Sequence, residues 1–263
     1  MAGLVCAGAL AADAGHDADA LVWTALADDW AANVEAWCAT ATGGERYDLS
    51  APYYVRVTRD GDPNAGHRRT LANAGPTLDE RDVIDAGFLD LVRLGVRSAD
   101  DPVVRNSVDA VDEVIRVETP AGPGFYRYNG DGYGERGGDD TGAPWTPETG
   151  GVGRLWPLLT GERGEYALRA GDDEDPADLL RTLAGFANEG RMLPEQVWDR
   201  ATETEYGWTF GEGTGSATPL AWAQAGFVRL AHGVDAGGPV CTPSVVEERY
   251  GDGGPPDWPA LLD

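Results

Sequence analysis

Glu195 is the residue whose type and context best fit proton-transfer chemistry. It stands in the element Pro194-Glu195-Gln196, shortly before Trp198. Proline ends the preceding segment, so the carboxylate is expected at a loop tip, where it can reach a bound molecule. A long polar loop follows, and Thr218-Pro219 then predicts a helix start with Thr218 as the N-cap. Other glutamates are close in sequence, but only Glu195 has the Pro-Glu-Gln context. These rivals are Glu189, Glu203, Glu205 and Glu212.

A second group of residues combines aromatic rings with Arg127 in a Gly-rich stretch. Aromatic faces stack on the apolar faces of sugar rings, and a planar guanidinium group binds adjacent hydroxyls. The mixture therefore indicates a carbohydrate cleft. The aromatic residues are Tyr126, Tyr128, Tyr133, Trp145 and Trp156. A calcium loop using Asn129, Asp131 and Glu135 is an alternative, although the EF-hand spacing is not met. A solvated acidic loop is another.

These motifs together resemble glycoside hydrolase family 15, the glucoamylase and glucodextranase family. The resemblance rests on Pro-Glu-Gln with the following Thr-Pro helix, and on Arg-Tyr followed by Asn-Gly-Asp-Gly-Tyr-Gly-Glu. The run Gly-Arg-Leu-Trp-Pro-Leu-Leu-Thr-Gly-Glu-Arg-Gly is most similar to the prokaryotic glucodextranase-like branch. Membership implies an all-α (α/α)6 barrel of the six-hairpin glycosidase type. It also implies no cofactor and no metal.

The resemblance assigns roles to individual residues. Glu195 would be the general base of an inverting, exo-acting hydrolase that releases β-glucose from non-reducing ends of an α-glucan or maltooligosaccharide. Arg127 would bind hydroxyls of the glucose whose bond is cleaved, and Tyr128 would help to bind it. Trp145 would be a platform for the leaving-side sugar. Trp222 would pack behind the same pocket, with ordinary core packing as the alternative. The sequence does not separate α-1,4, α-1,6 and trehalose specificity.

The departure from the family is at the N-terminus. Inverting hydrolysis needs a second carboxyl group as acid, which the family carries in a Trp-Glu-Glu element, and no Trp-Glu pair occurs here. We therefore expect residues 1–250 to form the C-terminal half of the barrel, with about seven helices, and residues 251–263 to form a tail. A truncated or frameshifted gene, a misplaced start codon, or a separate polypeptide with the N-terminal half would each explain this. Alternatives are a non-catalytic glucan-binding or partner-binding helical remnant and half of a family 15 trehalase.

The charge balance restricts the partners. The chain has 45 Asp+Glu against 20 Lys+Arg, for a net charge of -25, and every one of the basic residues is arginine. Phosphate-rich partners need basic patches, so nucleic acid and anionic membranes are excluded. Adaptation to high salt is favoured over GC-rich codon bias as the cause of this composition. It indicates a halophile resembling the haloarchaea. The scattered Cys and His residues lack disulfide or metal spacing.

The hydrophobic pattern predicts a series of helices rather than an alternating strand–helix fold. Predicted helices cover 1–14, 17–39, 79–96, 101–118, 151–166, 176–188 and 219–232. A loop or small β excursion is expected over 43–74, and a long loop over 121–150. No apolar run of 18 residues exists, and the first residues lack the positive charge of a signal peptide. The chain as encoded is thus expected in the cytoplasm, although an intact precursor could be exported.

Overall fold

The computed structural model describes residues 1–137, 141–171, 174–202 and 204–251. Within them the chain is mainly helical and its strands are short. The α-helices are α1 (Ala2–Asp13), α2 (Asp17–Cys38), α3 (Leu89–Arg93), α4 (Pro102–Val114), α5 (Pro157–Ala170), α6 (Pro176–Gly185), α7 (Ala221–Ala236) and α8 (Ser244–Tyr250). The strands are β1 (Ala39–Thr40), β2 (Tyr53–Tyr54), β3 (Arg68–Thr70), β4 (Thr77–Asp79), β5 (Arg116–Thr119), β6 (Gly122–Phe125), β7 (Glu135–Arg136) and β8 (Gly151–Val152).

The helices pack in two groups, and the predicted all-α class is confirmed. One group is the α1–α2 hairpin with α8 against α1; the other is α5, α6 and α7 with α3 against α5. The described strands pair only as antiparallel two-stranded ribbons, β1–β2, β3–β4, β5–β6 and β7–β8. Strands β2 and β3 lie within 43–74, where a loop or small β excursion was expected, and their partners β1 and β4 lie just outside it. The largest apolar cluster lies between β2, α3, α4 and Tyr166 in the second half of α5.

Two helices begin where proline predicts. The carboxylate of Asp101 accepts hydrogen bonds from the backbone N–H groups of Val103, at 2.8 Å, and Val104, at 3.3 Å, directly before Pro102. Asp175 caps α6 in the same way through Ala177, at 2.9 Å. A carboxylate at the N-cap satisfies amides that have no partner inside the helix, and proline in the first turn forfeits no hydrogen bond.

The helix predicted over 79–96 is wrong for its first half. A short 3-10 turn, Glu80–Asp82, is followed by extended backbone, and only α3 is α-helical. The cause is hydrogen bonding to distant segments. The carbonyl of Val83 accepts from the Arg56 amide, and the Ile84 amide donates to Asn129 Oδ1 at 2.8 Å. The side chains of Val83 and Ile84 are both buried. Consecutive buried residues give an apolar run in an extended segment as well as in a helix.

The helix predicted over 101–118 ends at Val114, because the next residues form a hairpin. Arg116–Thr119 pairs with Gly122–Phe125, and the Thr119 hydroxyl donates to the Gly122 carbonyl. β-Branched residues suit such a strand. The loop expected over 121–150 therefore contains β6 and β7. The helix expected over 151–166 begins only at Pro157, since residues 151 and 152 pair with β7 and Leu155 pairs with Val197.

The remaining differences are at the C-terminal end. Helix α6 stops at Gly185, three residues before the predicted 188. Helix α7 begins at Ala221 without a side-chain cap, and the Thr218 hydroxyl donates to the Ser216 carbonyl instead. The sequence pattern does not predict α8, where Arg249 and Tyr250 contact Asp28 of α2. Most of the expected tail, 252–263, lies outside the described residues.

Candidate active site

Glu195 is carried by an extended segment held on both sides. Its amide donates to the carbonyl of Ala217 at 2.8 Å. Two residues later, Val197 forms antiparallel bridges with Leu155 on one side and Gly213 on the other. The half-buried carboxylate of Glu195 therefore projects from an extended backbone that is fixed by two neighbouring segments of the chain.

A cleft of about 420 Å³ opens beside Glu195, within the range typical of small-molecule sites. Glu195 and Trp145 both line it, so the structure brings these two predicted residues together. Its aromatic lining residues are Tyr133, Trp145, Tyr206 and Trp208. The Trp145 ring is 45% exposed, which leaves it open to a ligand.

Arg127 lies within electrostatic reach of Glu195. Burial raises the pKa of Glu195, and the positive charge of Arg127 opposes that rise. The guanidinium is held by a bidentate ion pair with Asp131, with two N–O distances of 2.8 Å. It also lies near the rings of Tyr133, at 5.2 Å, and Trp156, at 5.0 Å. Arg127 is thus positioned by its neighbours before any ligand arrives.

Similar known proteins identify the family of this chain. The family model described as glycosyl hydrolases family 15 matches residues 1–232. The chain belongs to glycosyl hydrolase family 15. A glucoamylase from Clostridium sp. (strain G0005) is 39% identical over 253 residues, which are 95% of this chain and 33% of that protein.

The fold of this family 15 chain also matches a solved structure. A crystal structure of a bacterial glucoamylase complexed with acarbose superposes with a TM-score of 0.84 at 38% identity, over 95% of this chain and 34% of that one. The helices described above are thus part of an (α/α)6 barrel architecture. The chain spans about a third of the length of both relatives.

Of the predicted sugar-binding residues, Trp145 lines the described cleft and the other three do not; Arg127 adjoins it through the lining residue Tyr133. The Tyr128 side chain is buried, and its ring contacts two guanidinium groups, with Arg56 at 3.9 Å and Arg127 at 5.4 Å from the ring centroid. Tyr128 therefore helps to position Arg127. Trp222 is on the first turn of α7, is 59% exposed and does not line the cleft. It neither packs behind the pocket nor contributes to the core in the described part of the chain.

A buried ion cluster beneath the cleft was not predicted. Arg154 is fully buried, pairs with Asp199 at 2.9 Å and Glu135 at 3.2 Å, and lies 4.1 Å from the ring centroid of Trp198. The Tyr126 hydroxyl donates to Asp199 at 2.5 Å. The sequence feature that could have predicted this cluster is the charged Arg154 next to apolar residues, in Gly153-Arg154-Leu155-Trp156. The cluster joins three segments that surround the cleft.

Gln196 is a second residue with an unrecognised role. Its buried side chain accepts from the Arg154 amide at 2.7 Å and donates to the Tyr133 carbonyl at 2.9 Å. Its own amide donates to the Ser216 hydroxyl at 2.9 Å. One side chain thus fixes the position of Glu195 relative to the Tyr133 and Arg154 segments. Its adjacency to Glu195 in the Pro-Glu-Gln element was the only signal in the sequence.

Another unrecognised feature is the indole Nε1 of Trp156, which is buried and has no hydrogen-bond partner among the described residues. It lies next to Arg127, where a ligand hydroxyl could accept from it. The oxygen atoms considered for calcium do not converge. Asn129 accepts from Ile84, Asp131 pairs with Arg127, and Glu135 pairs with Arg154. None of the helices described is long and apolar enough to cross a membrane.

Proposed function

We propose that this chain carries the general base of an inverting, exo-acting α-glucan hydrolase of the glucoamylase type. The observation that carries the proposal is the half-buried carboxylate of Glu195 in an aromatic-lined cleft, within electrostatic reach of Arg127. Burial raises the pKa of Glu195 and makes it a stronger base, while Arg127 favours the ionised form that can accept a proton.

In the proposed step, a water oxygen attacks the anomeric carbon and gives a proton to Glu195. The glycosidic bond breaks, and a carboxylic acid on the opposite face protonates the leaving oxygen. The configuration inverts, so the product is β-glucose. Glu135 is the other carboxylate lining the described cleft, but its ion pair with Arg154 makes it unsuitable as an acid. We assign the acid to the part of the barrel that this chain does not span.

The substrate class follows from the lining. Arg127, which adjoins the lining residue Tyr133, would bind hydroxyls of the cleaved glucose, and Trp145 would stack against the leaving-side sugar. Trp222 and Tyr128 are assigned indirect roles, because the Tyr128 ring is buried against Arg127 and Trp222 is exposed on α7 without lining the cleft. The Clostridium relative is named a glucoamylase, and the matching crystal structure is of a bacterial glucoamylase complexed with acarbose. We extend this class of ligand, an α-glucan or maltooligosaccharide, to the present chain.

We further propose that residues 1–250 are a partial barrel domain whose acid-bearing remainder binds at α2. Trp23, Trp30 and Trp37 recur every seven residues along this helix and are exposed together with Leu26. This spacing places them along one helical face. Exposed apolar patches of this kind mark interaction surfaces.

Reconstitution tests the proposal. The chain would be mixed with a polypeptide comprising the part of the Clostridium glucoamylase that the alignment leaves uncovered. We expect glucose release from maltoheptaose by the mixture and none by the chain alone, with β-glucose as the first product by NMR. Glu195→Gln should lower the rate by ~10²–10⁴-fold, because the amide keeps the shape but cannot accept a proton. Glu189→Gln, at an exposed site on the same segment, is the matched control.

Each other outcome selects an alternative. Hydrolysis of trehalose in preference to maltoheptaose would identify half of a trehalase. Glucan binding without hydrolysis in any mixture would identify a non-catalytic remnant. Near-full activity of the reconstituted Glu195→Gln protein would remove the base assignment.

A further inference from the structure

Arg56 stands two residues after β2, and its guanidinium lies over the buried ring of Tyr128. The Arg56 Cζ atom is 3.9 Å from the ring centroid, a van der Waals contact distance. Arg127 approaches the same ring at 5.4 Å. Arg56 does not line the cleft, so of the two arginines only Arg127 has a part in the proposed reaction.

The position of Arg56 is fixed at its backbone and at its guanidinium. Its amide donates to the Val83 carbonyl at 3.1 Å, and its Nη1 donates to Asp85 Oδ2 at 2.7 Å. Asp85 also forms an antiparallel bridge with Tyr128. The residue that holds the Arg56 guanidinium is therefore paired with the backbone of the tyrosine that lies under it.

The two arginines beside Tyr128 are neutralised separately. Arg56 pairs with Asp85. Arg127 pairs with Asp131 through two N–O distances of 2.8 Å. Burial and the charge of Asp131 raise the pKa of Tyr128. The positive charges of Arg127 and Arg56 oppose that rise, so both act on this one side chain. Because each cation has its own carboxylate, their mutual repulsion is reduced and the ring can attract both.

We propose that Arg56 is a positioning residue for Arg127 and acts through the Tyr128 ring. Arg56 packs over the ring and restricts its movement, and the ring limits where the Arg127 guanidinium can lie. An arginine that is placed before the sugar arrives loses less entropy on binding, and a small displacement of it lowers the rate. The inference rests on the proposed function and deepens the role that Arg127 has there.

NMR of the 263-residue chain tests the positioning without any activity. The Arg127 Nε–H donates to Asp131, so its proton should exchange slowly with water, and its signal is identified by loss in Arg127→Met. Arg56→Met should speed this exchange by about 2- to 30-fold, the equivalent of one cation–π contact. Arg56→Lys keeps a cation over the ring and should give an intermediate rate. Arg69→Met, at an exposed site on β3, is the matched control and should leave the rate unchanged.

A double-mutant cycle in the reconstituted enzyme tests whether this positioning serves the sugar. Arg56→Met should lower kcat/KM for maltoheptaose by about 2- to 30-fold, and Arg56→Lys should recover part of that loss. In an Arg127→Met background, Arg56→Met should change kcat/KM by less than about twofold, because the group that it positions is gone. A general loss of structure would instead lower kcat/KM equally in both backgrounds.

The outcomes separate this inference from the underlying function. Unchanged exchange of the Arg127 Nε–H in Arg56→Met would overturn the positioning role. Equal losses of kcat/KM with and without Arg127 would also overturn it, since Arg56 would then act by another route. A parent mixture that releases no glucose would contradict the proposed function, and the exchange measurement would still decide whether Arg56 positions Arg127.

Discussion

At the scale of single residues, Glu195 and Arg127 should set the acid side of the pH profile. A base must be ionised, so activity falls as pH drops through the pKa of Glu195, which burial raises and Arg127 lowers. Arg127→Met removes the lowering charge and should move the acidic limb of kcat/KM to higher pH. The measurement is the pH dependence of the reconstituted enzyme. Arg181→Met, on an exposed part of α6, should leave the limb in place; an unmoved limb in Arg127→Met would contradict the coupling.

The buried cluster predicts a large loss of stability from a single change. Arg154→Met would leave Glu135 and Asp199 in a buried site without their shared cation. Breaking a buried ion pair in this way typically costs about 3–5 kcal/mol. Urea unfolding should show that loss, and the combined Arg154→Met, Glu135→Gln, Asp199→Asn variant should recover part of it. A cost no larger than that of Arg181→Met would show that solvent reaches the cluster.

The sequence allowed prediction of some site residues and not of others, for a physical reason. Glu195, Arg127 and Trp145 stand in local contexts that suggest their roles, and the structure places them around one region. The ionic partners of Arg154 lie 19 and 45 residues away in the chain, so no local pattern announces them. Trp222 was predicted to pack behind the pocket from its place on the helix after the Glu195 loop, but its side chain is exposed and does not line the cleft.

At the scale of elements, helices with a charged cap and a proline start were predictable, whereas apolar runs were ambiguous. Val83, Ile84, Val117 and Thr119 are β-branched residues that also occur on helix faces. The backbone at 83–85 is extended because distant segments supply hydrogen bonds, as Asn129 does for Ile84, whereas Arg116–Thr119 pairs with the adjacent strand Gly122–Phe125. Periodicity alone cannot distinguish a buried strand from a helix over so few residues.

One element prediction concerns α8, which is attached to α2 through Asp28. The buried carboxylate accepts from Arg249, with one N–O distance of 2.6 Å, and from the Tyr250 hydroxyl at 2.9 Å. Asp28→Asn loses the charge-assisted bonds and should destabilise this contact by about 2–3 kcal/mol. Hydrogen exchange should accelerate in α8 and α1 and remain slow in α5–α7. Asp29→Asn, at the adjacent exposed position, is the control; uniform acceleration would contradict a local role.

At the scale of the whole molecule, the net charge of -25 predicts stability that rises with salt. Self-repulsion among the excess carboxylates weakens as salt screens it, since the Debye length falls to about 3 Å at 1 M. Each kcal/mol relieved should raise Tm by about 2–4 °C for a chain of this size. Calorimetric melts in 0.05 M and 2 M KCl would test whether the chain is adapted to high salt. An equal Tm in both would leave codon bias as the explanation of the composition.

The tryptophan face of α2 gives a second prediction for the assembled barrel. Trp23, Leu26, Trp30 and Trp37 expose apolar surface along α2, whereas Val83, Ile84 and Val92 are buried. Replacing Trp23, Trp30 and Trp37 by Ser should leave the melt of the isolated chain nearly unchanged and abolish reconstitution of hydrolysis. Intact reconstitution by this variant would place the contact elsewhere.

The contact between α2 and α8 also has a consequence for the order of events on the ribosome. Asp28 and Arg249 are 221 residues apart, so the first helical hairpin leaves the ribosome long before its C-terminal partner exists. At roughly 5–20 residues per second, the delay is about 10–45 s. Throughout that interval the side of the hairpin that later receives α8 has no partner from this chain. Translation speed and chaperone supply should therefore decide the yield of folded protein in a cell more than its final stability does.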